Sequence, residues 1–364
     1  MNSVFSLQQY LVEVARVKDI SRTKVLIPQS TPCLQKARLQ FRHEFEFSLF
    51  PGLSLAIANG SAYGDYTHCL NSVEGVIKTW QLQSYLPAAN KDVAAGPDIT
   101  HSQPVNSSIL HGLTGVRDLH EAGVAGQGVT IAMVDEGVDY LHPALGVGIG
   151  DGYKIGYGID LVGDDWRVGG DPQPDQDPYT ECTNHGTHIS GIAAGKQLSL
   201  GFVGVAPEAR LEHFRVSGCQ RVPIDSDIII KAVLMAHSRK VDVISLSLTL
   251  NTGPYPDDPL SEVLTRISQE GQVLIAVASG NYGWQGPLSA HPPASASDIL
   301  AVGSVNSAYS VQSQPRASFL VTNTAEGESE PIDFTWAPAG PCHDFEHVGP
   351  RRRMLNLGER LAVF

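Results

Sequence analysis

Between about Gly128 and Val305, short runs that are apolar at nearly every position alternate with longer segments whose apolar residues recur at three- and four-residue intervals. A strand that is apolar on both faces must be covered on both sides, and a segment of helical period supplies one such cover. The alternation therefore predicts an α/β fold, a parallel sheet with helices on both faces. The candidate strands are Val129 to Val134, Arg210 to Val216, Val243 to Leu248 and Gln272 to Val277, each read as nearly all apolar. Between them, one helix is expected to start near Asp225 or Ser226 and to bury Ile228, Ile229, Ala232, Val233 and Ala236. A second is expected to start around Asp257, Asp258 and Pro259 and to stop at Gly271, an acid before its first turn and a glycine after its last.

The flanks read differently. Tyr10 to Val14 and Phe41 to Phe47 are strand-like, and Asn71 to Tyr85 suggests a helix or turn leading into a strand, so residues 1–98 are expected to form a small α+β unit. Lys91 to Ser108 is rich in Pro, Gly, Asn and Ser, and 99–114 reads as a linker to a larger domain over 115–312. Beyond Ser313 periodicity is poor, and 313–364 receives no stable element.

At 364 residues and 42% apolar content the chain can bury a sizeable core. A formal charge of −13 argues against nucleic acid or an anionic membrane as partner, since phosphates would be repelled. No apolar stretch reaches the roughly 18 residues of a membrane span, and Met1 to Tyr10 lacks the basic start and apolar run of a secretory signal. The cysteines Cys33, Cys69, Cys182, Cys219 and Cys342 show no C-x-x-C spacing. Asn59 and Asn106 head N-x-S/T sequons, which are glycan acceptors in a secreted chain.

Three polar residues fall where parallel sheets place their chemistry, at or just beyond the carboxyl ends of strands. Asp135 closes G-V-T-I-A-M-V-D. His185 opens H-G-T-H-I-S-G-I-A-A-G, whose small residues allow a helix to pack closely on a neighbouring backbone. Asn281 ends Q-V-L-I-A-V-A-S-G-N. Singly, each has a structural explanation: a carboxylate leaving the core, a capping or core histidine, a loop asparagine beside Gly280. Together and in this order they suggest an acid, a base and an oxyanion donor.

The blocks V-D-E-G-V-D-Y-L-H-P-A-L, N-H-G-T-H-I-S-G-I-A-A-G, G-V-A-P-E-A-R-L, D-V-I-S-L-S-L and V-A-S-G-N resemble, in order and spacing over about Gly115 to Asn306, the subtilisin family of serine peptidases, nearest its minor extracellular protease type from fungi. The resemblance implies a serine endopeptidase precursor acting outside the cell on protein or peptide substrates. In it Asp135 would orient the imidazole, His185 would be general base and acid, and Asn281 would bind the oxyanion. Ser247, Leu248 and Thr249 would hydrogen-bond an extended substrate through their backbone. The segments R-H-E-F-E-F-S-L-F-P-G-L-S-L and L-N-S-V-E-G-V-I-K-T-W resemble the family's inhibitory propeptide, a second partner expected in the cleft. There Pro28 and Pro32 conflict with a helix expected over Arg22 to Leu39.

The sequence departs from the family in two places. No G-T-S-type block, the turn that bears the nucleophile, occurs in the 364 residues, which leads to the expectation of a truncated, inactive chain whose sheet would be left exposed. Glu136 stands where the family has Thr or Ser. No cofactor is expected. Asp164, Asp165, Asp171, Asp175 and Asp177 form an acidic loop that would suit Ca²⁺ or simply be solvated, and Cys182 and Cys219 would be either a disulfide or two buried thiols. The alternatives are a non-catalytic peptide-binding or regulatory pseudoprotease and a metallohydrolase using His185, His188 and Asp135, which lacks a glutamate and a third ligand at useful spacing. A dinucleotide-binding enzyme fits least, because Gly126 and Gly128 precede their strand.

Overall fold

A computed structural model describes residues 7–58, 65–85, 108–167, 170–198, 201–220, 222–249, 258–281, 283, 290–304, 316–320 and 331–335. The expected linker up to residue 107, both sequons, Cys342 and the arginines Arg351 to Arg353 lie outside these residues. Two compact units are present, one made of 1–89 with 103–311 and the other of 90–102 with 312–364.

The first unit opens with β1 (Leu7–Val14), α1 (Ile20–Ser30), α2 (Pro32–Gln35), β2 (Arg38–Phe47), β3 (Phe50–Ala58), α3 (Thr67–Asn71), β4 (Val76–Gln81) and β5 (Ser84–Tyr85). The first four strands form an antiparallel sheet in the order β2-β3-β1-β4. Its side chains alternate between two cores, as the two-residue period of a strand requires. Tyr10, Val12 and Val14 of β1, with Leu53, Leu55 and Ile57 of β3, pack with Ile20, Ile27 and Leu34 of the helices. Leu11 and Phe50 face the other way, into the core of the larger sheet.

The prolines do not prevent helix here. Pro28 lies in the last turn of α1, which ends two residues later, and Pro32 takes the first position of α2, where a missing N–H costs nothing. Strand β3 was not among the expected strands, and it contains Pro51 and Gly52. Gly52 is required by proximity: a Cβ there would stand 2.4 Å from the Val12 carbonyl oxygen of the neighbouring strand. Cys33 and Cys69 are joined in a disulfide that ties α2 to α3.

The chain continues through α4 (Ser108–Thr114), α5 (Val116–Glu121), β6 (Thr130–Asp135), β7 (Ile155–Asp160), α6 (His185–Ala194), β8 (Lys196–Gln197), β9 (Phe202–Val203), β10 (Arg210–Arg215), β11 (Ile224–Asp225), α7 (Ser226–Ser238), β12 (Val243–Leu246), α8 (Pro259–Gln269), β13 (Leu274–Ala278) and β14 (Leu300–Val302). The last seven residues of the expected linker are thus helical. Six strands form a parallel sheet in the order β14-β13-β12-β6-β10-β7. One face packs on α7 and α8 through Ala132, Val134, Phe214, Ile244 and Val277, and the other carries Met133, Leu211 and Ile155 with Ala194 of α6.

Strand β10 is less apolar than expected. Its Glu212, His213 and Arg215 are all buried. Glu212 is held by Arg239, Nε to Oε2 at 2.5 Å, and Arg215 by Asp160, Nη1 to Oδ2 at 2.9 Å. Burial of such charges is tolerated because each has a partner.

The small sheet is joined to the large one by polar contacts as well as by the shared core. Arg42 lies between Asp225 and Asp227, and the Ser54 hydroxyl donates to Asp227 Oδ2 at 2.8 Å. Strand β5 pairs antiparallel with β11, and the Tyr85 hydroxyl donates to Asp258 Oδ1 at 2.8 Å, at the N-cap of α8.

The second unit contains a feature the sequence did not suggest. Strands β15 (Arg316–Leu320) and β16 (Pro331–Thr335) pair antiparallel within the segment read as having no stable element. In Arg316–Leu320 the apolar and polar residues do not alternate strictly, so the sequence gives no period-two signal for that strand.

Candidate active site

All six strands of the large sheet are parallel, so the residues that close β6, β12 and β13 emerge at one edge. Asp135 is the last residue of β6 and is fully buried. His185 is the first residue of α6. Its Nδ1 lies 2.7 Å from Oδ1 of Asp135, and the same oxygen accepts the Glu136 amide at 2.8 Å. Close packing of α6 on this edge depends on Gly186, where a Cβ would stand 2.0 Å from the Gly137 carbonyl oxygen.

The pairing sets the proton affinity of His185. Burial pushes the imidazolium down, but the hydrogen bond and charge of Asp135, with the charge of Glu136 behind them, outweigh burial and hold His185 above its ordinary value of 6.5. With Nδ1 engaged by the carboxylate, Nε2 is the nitrogen left for proton exchange. His188, one turn along α6, is pushed down by burial and by the charge of His185.

The run into α6 is itself anchored. Cys182 and Cys219 form a disulfide, which ties the residues before His185 to those after β10. Beneath it, Arg215 donates to Asp160 Oδ2 and Ser217 O and lies 2.8 Å from Asp164 Oδ1. Sequence reasoning missed this buried pair, although two arginines and a glutamate in R-L-E-H-F-R-V were a visible anomaly for a strand inside a sheet.

Ser247, Leu248 and Thr249 follow the end of β12, the strand between β6 and β13, with Leu248 buried and the other two partly so. Asn281 is exposed, three residues beyond the end of β13, and Tyr282 after it lies outside the described residues. The structure therefore brings Asp135 and His185 into contact and places 247–249 and Asn281 beyond neighbouring strand ends of the same edge.

Among the described residues no three carboxylates of the acidic loop come together as metal ligands. Asp164 is taken by Arg215, Asp171 Oδ1 accepts from Gln40, Asp175 Oδ1 accepts the Asp177 amide, and Asp177 accepts from Tyr179 N and Tyr140 OH. Among the described residues the one cluster of three side chains able to ligate a metal is Asp164, Cys182 and Cys219. Its sulfurs are bonded to each other and Arg215 stands among them, so it does not fit a metal ion. His185, His188 and Asp135 likewise form no three-ligand group among the described residues, which leaves the metallohydrolase reading without its site.

The chain belongs to the subtilase family, which it matches over residues 126–351. That match runs well beyond Asn306, where the motifs stop being readable by eye. Subtilisin E from Bacillus subtilis is 32% identical over 222 residues, covering 58% of this chain and 49% of that protein. The minor extracellular protease Vpr, also from Bacillus subtilis, is 33% identical over 216 residues, covering 59% of this chain and 25% of that protein. The chain thus spans about half the length of subtilisin E and a quarter of Vpr. Among solved structures, a mutant of the epidermin leader peptide processing serine protease from Staphylococcus aureus superposes with a TM-score of 0.57 at 17% identity, over 82% of this chain and 70% of that one. At that identity the likeness concerns the fold.

Proposed function

We propose that this chain carries the acid and base of a subtilisin-like serine endopeptidase, and the observation that supports this most strongly is the 2.7 Å contact between His185 Nδ1 and Asp135 Oδ1 at the carboxyl edge of the sheet. In this reading His185 Nε2 takes the proton from an attacking serine hydroxyl and returns it to the leaving amine of a peptide substrate. Asp135 fixes the tautomer that makes Nε2 the acceptor and stabilises the imidazolium once it forms. Asn281 donates its side-chain N–H to the developing oxyanion, and the backbone of Ser247, Leu248 and Thr249 extends the sheet edge along the substrate.

Residues 1–98 act as a propeptide in the same reading. Its support is the antiparallel pairing of β5 with β11 and the seating of Arg42 on Asp225 and Asp227, which place an extended segment of the N-terminal unit against the elements that open α7 and α8. Two disulfides favour an oxidising, extracellular setting. No helix among the described residues is long and apolar enough to cross a membrane.

The nucleophile is the part these residues do not supply. No G-T-S-type block occurs in the sequence, so the 364 residues alone are expected not to turn over peptide. The test is a fluorophosphonate probe with a casein assay. The chain alone is expected to stay unlabelled and inactive. Fused to the segment of a subtilase that bears the G-T-S-type turn, it is expected to label and to cleave casein, both lost in His185→Ala. Labelling of the fusion that survives His185→Ala would contradict the assignment of the base.

A further inference from the structure

The start of α7 carries two fully buried carboxylates, Asp225 at its N-cap and Asp227 in its first turn, with a guanidinium seated between them. Arg42 of β2 donates from Nε to Asp227 Oδ2 and from Nη2 to Asp225 Oδ2, each at 2.8 Å. His43 beside it, with only 9% of its side chain exposed, turns an Nε2 without a hydrogen-bond partner toward the same Asp227 oxygen, 4.0 Å away. On α7 itself, Lys231 feels the charge of Asp227, but burial outweighs it and pushes Lys231 down. The guanidinium in the site thus comes from residues 1–98.

The same residues mark a sheet edge. Strand β11 pairs antiparallel with β5, Ile224 opposite Tyr85 and Asp225 opposite Ser84, and the Ser226 amide donates to the Gln83 carbonyl at 2.9 Å. An extended peptide adds a strand to a sheet edge in this way. The side chain opposite Asp225 is aimed at its carboxylate, since the Ser84 hydroxyl donates to Asp225 Oδ1 at 3.3 Å. Serine is short, and the other oxygen of Asp225 is met by Arg42 from a different strand.

We propose that, once residues 1–98 have left, β11 with Asp225 and Asp227 forms a subsite that binds an arginine of an extended peptide substrate, standing where Ser84 stands in this chain. The proposal rests on the reading of residues 1–98 as a propeptide. Their departure takes away Arg42, Ser54 and Ser84 together, and with them the donors these side chains supply to the two carboxylates. A carboxylate that loses its cation in a partly desolvated site is unfavourable, and an arriving guanidinium restores the pairing. Two carboxylates bridged by one fork favour arginine over lysine, whose ammonium is a single point of charge. The formal charge of −13 draws basic peptides toward the chain as a whole.

Two measurements test the subsite. In the full chain, adding Ser84→Arg to Arg42→Ala is expected to recover about half or more of the urea midpoint that Arg42→Ala loses. Ser84→Met, unbranched and uncharged, is expected to recover none. Equal midpoints for the two double variants would overturn the proposal, because a side chain at this register would then not meet the carboxylates as a cation. The substrate role is read in the active fusion described above, using a neutral host peptide in which a single arginine is moved along the residues before the scissile bond. At one position arginine is expected to raise kcat/KM about tenfold over leucine, and Asp225→Asn with Asp227→Asn to bring that ratio close to one. A fusion that sheds residues 1–98 and shows no such position overturns the subsite and leaves the propeptide reading standing. A fusion that cleaves peptide with residues 1–98 still paired to β11 removes the propeptide reading and the subsite with it. A fusion that the fluorophosphonate probe does not label removes the assignment of the base, and the two double variants then decide the subsite.

Discussion

Arg42 of the N-terminal sheet places its Nε 2.8 Å from Oδ2 of Asp227, in the first turn of α7, with both side chains almost wholly withdrawn from solvent. Its Nη2 reaches Asp225 at the same distance, and the Ser54 hydroxyl also donates to Asp227. A guanidinium is suited to this bridging because its donors form a rigid fork. Removing it takes away the guanidinium that bridges the two buried carboxylates. Arg42→Ala is expected to destabilise the chain by about 3 to 5 kcal/mol, measured by urea unfolding, and to release the N-terminal sheet first in hydrogen exchange. A loss within about 1 kcal/mol, the range of an exposed pair, would mean that the bridge is solvated.

At Gly186 the start of α6 comes close to the backbone just beyond β6, where a Cβ would meet the Gly137 carbonyl oxygen. Gly186→Ala is expected to push α6 off the sheet at a cost of about 1 to 3 kcal/mol or more, and to lengthen the contact between His185 and Asp135. Denaturation and the downfield Nδ1–H resonance of His185 report the two effects separately. An alanine variant with unchanged stability and resonance would show that the helix start has room the structure does not indicate.

Acidification should expose the cost of His213. The unfolded chain takes up a proton on this residue as pH falls through 6.5, while the folded chain resists until about 4. Between those values the unfolded state binds more protons, so stability falls with falling pH, by about 3 kcal/mol from this group. His213→Met is expected to flatten the dependence of the urea midpoint on pH over that window. A slope identical to that of the unaltered chain would assign the acid sensitivity to other groups.

The two disulfides join residues 36 and 37 positions apart, and each restrains the unfolded chain by closing a loop of that size. Cys182→Ala with Cys219→Ala is expected to cost about 2 to 4 kcal/mol and, because Cys182 lies just before α6, to broaden the His185 resonances. The corresponding pair at Cys33 and Cys69 should cost a similar amount and leave His185 unmoved.

The parallel sheet was legible because its strands bury both faces and so read as apolar runs. Asp135 and His185, which the structure brings into contact, were legible because each interrupts such a pattern where a strand or its helix turns, and Asn281, read on the same ground, lies exposed beyond β13. What was not legible followed from local signals overridden by tertiary context. Gly156 and Gly158 give β7 the look of a turn, yet its backbone pairs with β10. Gly52 disguises β3 because the neighbouring backbone leaves no room for a side chain. Pro28 and Pro32 argue against helix only when they fall inside a turn that continues, and here one is near an end and the other at a beginning. The polar residues of β10 were passed over because nothing in one strand reveals that Arg239, Asp160 and Asp164 wait on other elements to pair with them.

If Asp135 controls the protonation of His185, a histidine-specific NMR titration of the chain and of Asp135→Asn measures that control directly. The His185 midpoint is expected above 6.5 in the unaltered chain, because the carboxylate outweighs burial, and below 6.5 in Asp135→Asn, where burial acts with little left to oppose it. Folding stabilised by the raised proton affinity should be fully present below pH 6.5 and be lost as pH rises through the folded midpoint. A His185 midpoint that is the same in both proteins would show that the 2.7 Å contact does not govern the base, and would contradict the assignment.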